Sequence, residues 1–394
     1  MKHFKATAIA LALLSWNSGP ALAQTVVAPK DGTIAFALTS LFWANYQTPE
    51  GRGECPQGFN DGNREQFKQL YPEDGQTRQF EKTQLKREID SWYPTTAAES
   101  FVFREAVGPT ALGLNLDGKI GPRDFTSPEG EPGIDNQMFR ALGCIQNYRG
   151  PIGAIAYFED EMVIRDMYNR VLIELTGVTS LVDSDDVKVT IYRGRDPLLL
   201  DAGGKHVVPG GTQRIDMRWG AKYIQHLRGK IVDGVLTTEP ADIIIPWGVF
   251  YLPTDQFMRS AQLRIKLTPT SAEGLLGGYT DVETWYLHMM KSWSTHHQSY
   301  GQTAAPSLYK ALRRLADAYP DPKSGANTAI SSAMQVKFSQ VVILPASKAE
   351  LAALGSKNSP QSAPIPYAGA PHPRAPVEEE SSGSHVAAAK ADSR

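Results

Sequence analysis

The run AQLRIKL at residues 261–267 alternates apolar and polar side chains at every step. Because successive side chains of an extended chain point to opposite faces, this alternation places all its apolar residues on one side. Val187, Val189 and Ile191 repeat the pattern with polar residues between them. Both runs predict antiparallel strands with one buried face and one solvated face.

Four further segments are rich in Ile, Leu and Val and are predicted strands, at residues 172–178, 231–236, 243–252 and 336–344. Pro246 lies within the third segment and predicts an edge strand, a bulge or a break. Gly-Gly pairs mark turns, at residues 203–204, 210–211 and 277–278. This spacing predicts a mainly β protein, an antiparallel β-sandwich with irregular calcium-like loops.

Two amphipathic helices are expected to cap the sandwich. The first has an apolar face with helical spacing between Val282 and Trp293. The second follows Pro306, which suits the first turn of a helix, and carries apolar residues from Leu308 to Tyr319. Aromatic faces of this kind are predicted to pack in a core.

The chain ends differ in composition from the middle. Lys2 and Lys5 precede an apolar run, and Ala-Leu-Ala at 21–23 fits signal peptidase, so residues 1–23 are a predicted signal peptide cleaved near Ala23. Residues 24–345 are expected to form a single elaborated β-sandwich domain. Residues 346–394 are rich in Ala, Pro, Ser and Gly and are predicted to be a disordered tail. The expected location is periplasmic or secreted.

The chain has 394 residues, with 40 Lys and Arg against 42 Asp and Glu. Loss of Lys2 and Lys5 with the signal peptide moves the formal charge from −2 to −4. A mildly acidic protein is not expected to bind nucleic acid. No run after the signal peptide reaches the roughly 18 apolar residues of a transmembrane helix, so no membrane span is expected.

Cys55 and Cys144 are the two cysteines of the chain. An oxidising compartment would allow them to form a disulfide that encloses a long loop, and the alternative is two unpaired thiols. The sequence has no C-x-x-C-H motif, which excludes covalent haem of the c type.

Residues 113–124, GLNLDGKIGPRD, fit the frame of a twelve-residue calcium loop similar to that of EF-hands and dockerins. The sharp sixth-position turn falls at Gly118. The run departs from the frame at its first position, Gly113, and at its twelfth, where Asp124 replaces Glu; Pro122 also disfavours an exiting helix. With the oxygen-rich run 129–137, the predicted Ca²⁺ ligands are Asn115, Asp117, Asp124, Glu129, Asp135 and Asn136. The alternative is a series of solvated Asx turns.

The run DFTSPEGEPGIDNQ at residues 124–137 resembles a D-F-x-S-P-x-G-x-x-G-I-D-N-Q signature of uncharacterised secreted proteins of Gram-negative bacteria. The similarity extends to Glu54-Cys55-Pro56, to residues 185–194 and to the glycine-rich turn at 274–278. It implies a single exported domain whose activity is not established, and it assigns no catalytic residue.

Histidines suggest a second metal site, at His288, His296 and His297. The first two are eight residues apart, roughly 12 Å along a helix, so only a chain reversal would bring them to one ion. Surface or capping histidines are the preferred interpretation.

Two catalytic patterns are matched only in part. Ser307-x-x-Lys310 followed by Lys323-Ser324-Gly325 matches parts of penicillin-recognising enzymes, but the spacing is too short, so Ser307 is a predicted helix-start residue. The acids at 183–186 and 159–161 would suit the paired carboxylates of a glycosidase, although a turn or helix start explains them better.

No motif fixes a reaction, so whether the protein is an enzyme stays open and no catalytic residue is assigned. The leading hypothesis is a secreted, calcium-stabilised β-sandwich that acts as a binding or accessory protein for an unknown protein or polysaccharide ligand. One alternative is a periplasmic or extracellular hydrolase of a carbohydrate or other polymer. Another is an accessory subunit of a periplasmic redox or transport system.

Overall fold

A computed structural model describes residues 28–50, 53–60, 103–149, 163, 170–249, 252–291 and 305–345. The predicted signal peptide (1–23) and the predicted disordered tail (346–394) lie outside the described residues. So do His296, His297 and the acidic run at 159–161.

Strands dominate the described chain. They are β1 (Thr33–Trp43), β2 (Phe125–Thr126), β3 (Pro132–Ile134), β4 (Val171–Thr176), β5 (Ser184–Arg193), β6 (Gly211–Arg214), β7 (Gln225–Val232), β8 (Val235–Thr238), β9 (Ala241–Val249), β10 (Leu252–Leu267), β11 (Ser271–Asp281), β12 (Ala318–Pro320) and β13 (Asn327–Leu344). The helices are α1 (Gln137–Leu142), α2 (Val282–Lys291) and α3 (Ala305–Leu315).

The large sheet closes on itself. Its strand order is β1-β4-β5-β7-β8-β10-β11-β13, and β13 pairs back onto β1 with Ala35 opposite Val341 and Trp43 opposite Met334. All these pairings are antiparallel. The predicted β-sandwich is therefore wrong, and the fold is a closed eight-stranded antiparallel barrel. Alternating strands bury one face equally well in either architecture, so the alternation did not distinguish them.

Three strands lie off the closed path. Among the described strands β9 pairs only with β10, and Pro246 stands opposite Asp255 in that pairing, so of the three predicted alternatives the structure shows an edge strand. The side chain of Gln225 joins β9 to β7, since it donates to Ile244 O and accepts from Ile244 N, both at 2.6 Å. β6 runs parallel to the end of β13, and β12 pairs with the start of β13.

The barrel interior forms the main core. Val187, Val189 and Ile191 of β5 and Leu263 and Ile265 of β10 are buried there, as their alternation predicted. An eight-stranded barrel is just wide enough for such side chains to fill it. Trp285 and Tyr286 of α2 and Leu308 and Leu312 of α3 belong to the same buried cluster. Both helices were predicted, but the second ends at Leu315, and Tyr319 lies in β12 with a φ of 55°.

The loop around Leu114 packs against the outer face of β11, whereas Met138 and Leu142 of α1 belong to the main core cluster. Gly277 of β11 permits this approach, because a Cβ there would lie 3.0 Å from the side chain of Leu114. The predicted disulfide is confirmed, since Cys55 and Cys144 are bonded with their Cα atoms 5.7 Å apart. The described helices include none with the length and apolar character needed to cross a membrane.

Candidate functional site

The predicted calcium loop is a series of turns closed by its own side chains. Asn115 Oδ1 accepts from Gly118 N at 2.8 Å, and Asn115 Nδ2 donates to Lys119 O at 2.9 Å. Asp117 Oδ1 accepts from Lys119 N at 2.8 Å. Gly118 makes the turn with a φ of 74°. These contacts are the Asx turns that were the alternative interpretation of this sequence.

Asp124 and Asp135 hold the two ends of the same loop. Asp124 Oδ2 accepts from Gly121 N, and Asp135 Oδ2 accepts from Leu116 N at 2.7 Å. Asp135 N also donates to Leu114 O at 2.9 Å. Each carboxylate therefore uses one oxygen to fix the loop backbone.

Asn136 has a structural task in the described chain. Its Oδ1 accepts from Phe139 N at 3.1 Å and so caps α1, while its Nδ2 donates to Ala44 O and Leu112 O. This residue is 1% exposed. Glu129 is exposed at the hairpin between β2 and β3, where its backbone N–H donates to Ser127 Oγ.

Asp117 and Asp124 both lie within electrostatic reach of Asp135. Burial raises the pKa of Asp135 to about 6, and the negative charges of Asp124 and Asp117 add to the increase. Within the described parts of the chain, no three His, Cys, Asp or Glu side chains are arranged to hold a metal ion. The predicted ligand set thus comes together in part, and Ca²⁺ binding stays a prediction.

The other sequence candidates lie apart from this loop. Ser307 is buried in the first turn of α3, in agreement with its predicted helix-start role. Lys323 and Ser324 form a turn in which Asp321 Oδ1 accepts from both backbone amides. His288 is half-buried on α2.

The acids at residues 183–186 lie in the connection between β4 and β5 and at the start of β5. Asp183 Oδ1 accepts from Asp233 N at 3.3 Å, and Asp185 and Asp186 are exposed. They occupy the hairpin position expected from the sequence.

A cavity of about 30 Å³ lies within the barrel. Its lining is entirely apolar and comes from seven of the barrel strands and from β9: Leu38, Leu41, Val171, Ile173, Val189, Ile191, Leu227, Ile243, Ile245, Leu263, Leu276, Val336 and Phe338. A cavity that offers water no hydrogen-bond partner stays dry, so this space suits an apolar group.

An aromatic layer closes the barrel next to this cavity. Trp43 follows the lining residue Leu41 by two positions on β1, and Trp247 follows Ile245 by two on β9, so each points inward. The Trp43 ring lies 6.0 Å from that of Trp247 and 5.9 Å, edge to face, from that of Trp285 on α2.

Hydrogen-bonding groups accompany this aromatic layer. Within the barrel, Gln256 Nε2 donates to Thr280 Oγ1 at 3.1 Å, and Thr280 shares a 2.9 Å hydrogen bond with Ser332 Oγ. Thr280 and Ser332 lie on the same faces of β11 and β13 as the lining residues Leu276 and Val336. One end of the barrel interior is thus polar and aromatic, while its middle is apolar.

Sequence reasoning missed this interior site. Trp285 and Tyr286 were placed on a helix and assigned to core packing, and Trp43 was not assigned to any strand. The available signal was the spacing of Leu41 and Trp43, which are two residues apart and so lie on the same face of a strand. That this face points into the interior follows only from the closure of the barrel. No protein-family model matches the chain, and comparison with curated proteins and solved structures finds no significant similarity.

Proposed function

We propose that the protein is a binding protein whose barrel encloses a small apolar ligand, or the apolar end of a larger one. The observation that carries this proposal is the cavity with its wholly apolar lining. Under this proposal, the binding or accessory role expected from the sequence is exercised on an apolar ligand. A location outside the cytoplasm belongs to the same proposal and is supported by the buried disulfide.

Burial of apolar surface would supply the binding energy. Each Å² of apolar ligand surface removed from water contributes about 25 cal/mol. The cavity has room for roughly two water-sized groups. The enclosed part of the ligand is therefore a few carbon atoms, and the rest extends toward one end of the barrel.

Methyl-resolved NMR tests the proposal directly. Xenon and pentane are the probes, and the methyl groups of Val189, Ile245 and Val336 should shift on their addition. Methyl groups of Val232 and Val342, which are exposed, serve as the control. Equal small shifts at lining and exposed methyl groups, or no shift with either probe, would refute an interior site.

Ca²⁺ is proposed to stabilise this binding protein through the loop at 113–137. The support is the repulsion that Asp117 and Asp124 each exert on Asp135, which a divalent cation would relieve. The ion would organise the loop on the outer face of the barrel. The hydrolase and accessory-subunit alternatives stay predictions, with no observation in the described residues that favours either.

A further inference from the structure

We propose that the ligand of the barrel is a neutral amphiphile whose oxygen-bearing head, a hydroxyl or carbonyl group, binds at Trp43, Trp285 and Tyr286. This inference rests on the proposed function, because it extends the apolar cavity to the polar group beside it. It identifies the chemical class of the ligand.

The apolar cavity and the aromatic layer follow one another along the barrel. Leu41 and Val336 are opposite one another in the β1–β13 pairing and line the cavity. Trp43 and Met334 form the next opposed pair on the same faces. The ring of Trp285 then packs edge-on against Trp43. A short chain that leaves the cavity in this direction meets the indole groups at once.

Buried donors lie in this layer and at the next residue of α2. Trp43 Nε1, Trp285 Nε1 and the Tyr286 hydroxyl are all buried and have no hydrogen-bond partner among the described residues. Trp43 is 2% exposed, Trp285 3% and Tyr286 1%. Buried donors in proteins nearly always have an acceptor, because a buried donor without a hydrogen bond is energetically unfavourable. A ligand oxygen would supply that acceptor.

Acidic side chains lie close to Tyr286 and its neighbour Tyr309. The Tyr309 ring lies 5.0 Å from that of Tyr286, and its hydroxyl donates to Glu283. The charge of Glu283 also contributes to the raised pKa of Tyr286, after burial and Tyr309. Asp281 Oδ2 is buried nearby with no hydrogen-bond partner in the described chain.

Among the described residues, Arg313 offsets these acids in part, since its Nη1 lies 3.9 Å from Glu283 Oε1. Asp281 and Glu283 together still make the region unfavourable for an anion. A carboxylate head would therefore be repelled, whereas an uncharged oxygen can accept from the indole and phenol donors.

The experiment compares four five-carbon probes by calorimetry on the full chain: pentane, pentan-1-ol, pentan-2-one and pentanoate. We expect the alcohol and the ketone to bind about tenfold tighter than pentane, as one hydrogen bond provides, and pentanoate to bind more weakly than the ketone. Trp285→Phe and Tyr286→Phe should each lower the ratio of alcohol or ketone affinity to pentane affinity, because each removes one of the proposed donors. Tyr192→Phe, whose hydroxyl donates to Glu174 on another face, is the matched control.

The outcomes separate this inference from the proposed function. If pentane binds but the alcohol and ketone bind no tighter, the head-group assignment is wrong and the apolar site stands. If pentanoate binds tightest, the neutral head is wrong. If none of the four probes binds, both proposals fail. Urea unfolding of the two variants checks that each folds, and Tyr286→Phe should keep wild-type stability because it removes an unpartnered hydroxyl.

Discussion

Arg149 and Glu54 form a buried ion pair beside the Cys55–Cys144 disulfide. The guanidinium also donates to Gly143 O at 2.6 Å and lies 3.6 Å from Cys55 Sγ. Burial opposes the ionisation of Glu54, but hydrogen bonds from its own backbone, from Thr48 and from Arg149 outweigh it, so the pKa of Glu54 is lowered. The charged pair and the disulfide together hold residues 53–60 to the segment that carries α1.

Removal of one partner of this pair should be costly. Glu54→Gln removes the carboxylate charge that is paired with the buried Arg149 guanidinium, and we expect a loss of roughly 3–5 kcal/mol in the free energy of unfolding. Urea unfolding at pH 7 measures it. Glu131→Gln, which breaks an exposed pair with Arg264, should cost at most about 1 kcal/mol. Equal losses in the two variants would contradict the role of burial.

The disulfide should stabilise the fold by constraining the unfolded chain. It joins residues 89 positions apart, and a loop of that length corresponds to roughly 4–5 kcal/mol in the chain-entropy account. The Cys55→Ser, Cys144→Ser double variant should have a free energy of unfolding lower by that amount, measured by urea unfolding. Wild-type protein in the presence of a reductant provides the second measurement. A double variant as stable as the oxidised protein would show that other contacts hold this segment.

Asp135 should make the protein more stable at acid pH in the presence of a chelator. Its pKa is raised from 3.8 to about 6, mainly by burial, so folding favours the protonated form. The resulting stability is complete below pH 4 and is lost as the pH rises through 6, a loss on the order of 3 kcal/mol. Asp135→Asn should abolish this part of the pH dependence between pH 4 and 7, since the amide oxygen still accepts from Leu116 N.

The matched control for this pH experiment is Asp185→Asn, a change at an exposed carboxyl of β5. It should keep the wild-type profile of unfolding free energy against pH. A profile for Asp135→Asn that overlays the wild type would contradict the assignment.

Calcium should raise the melting temperature if the loop carboxylates bind it. A free Ca²⁺ concentration one hundred times Kd adds about 2.7 kcal/mol to the free energy of unfolding. Asp117→Asn should reduce this response and, in chelator, stabilise the protein slightly by removing one of the charges that face Asp135. Identical melting curves of the wild type in calcium and in chelator would show that the loop does not need the ion.

The cavity should accept one additional methylene group. Val336→Ile extends a lining residue into the space of about 30 Å³, and we expect a gain near 0.8 kcal/mol together with weaker binding of xenon. Val187→Ile is the matched control in the same core but away from the cavity lining, where overpacking should cost about 1–3 kcal/mol. Equal destabilisation by both changes would show that no usable space exists.

Local patterns predicted the strands better than their assembly. The alternation at 187–191 and 261–267 placed the right residues in the core, and Pro246 marked the edge strand. Closure of the barrel depends on β1, which the alternation pattern did not predict. The run of β1 is apolar on both faces, since Ala35 and Ala37 pack outside while Phe36 and Leu38 pack inside, so no alternation is visible.

The sequence predicts oxygen donors between residues 113 and 137, but it does not predict the contacts that each of them makes. From residue type and spacing alone, Asn115, Asp117 and Asn136 are equally good candidate oxygen ligands. The structure distinguishes them, because Asn136 caps α1 and Asp117 closes a turn with Lys119. The interior aromatic layer depends on a helix and two strands that are distant in sequence. A pattern within a short stretch of sequence therefore cannot predict that these aromatic residues pack together.

Closure by the first and last strands has a kinetic consequence. Thr39 Oγ1 donates to Lys337 O across 298 positions, so the barrel cannot be completed until nearly the whole described chain has been made. Contacts between such distant residues slow folding, because the entropy of a long loop must be lost first. Until β13 arrives, β1 exposes an unpaired apolar edge that invites association with other chains. The newly made polypeptide is therefore most prone to associate with other chains before its final strand is in place.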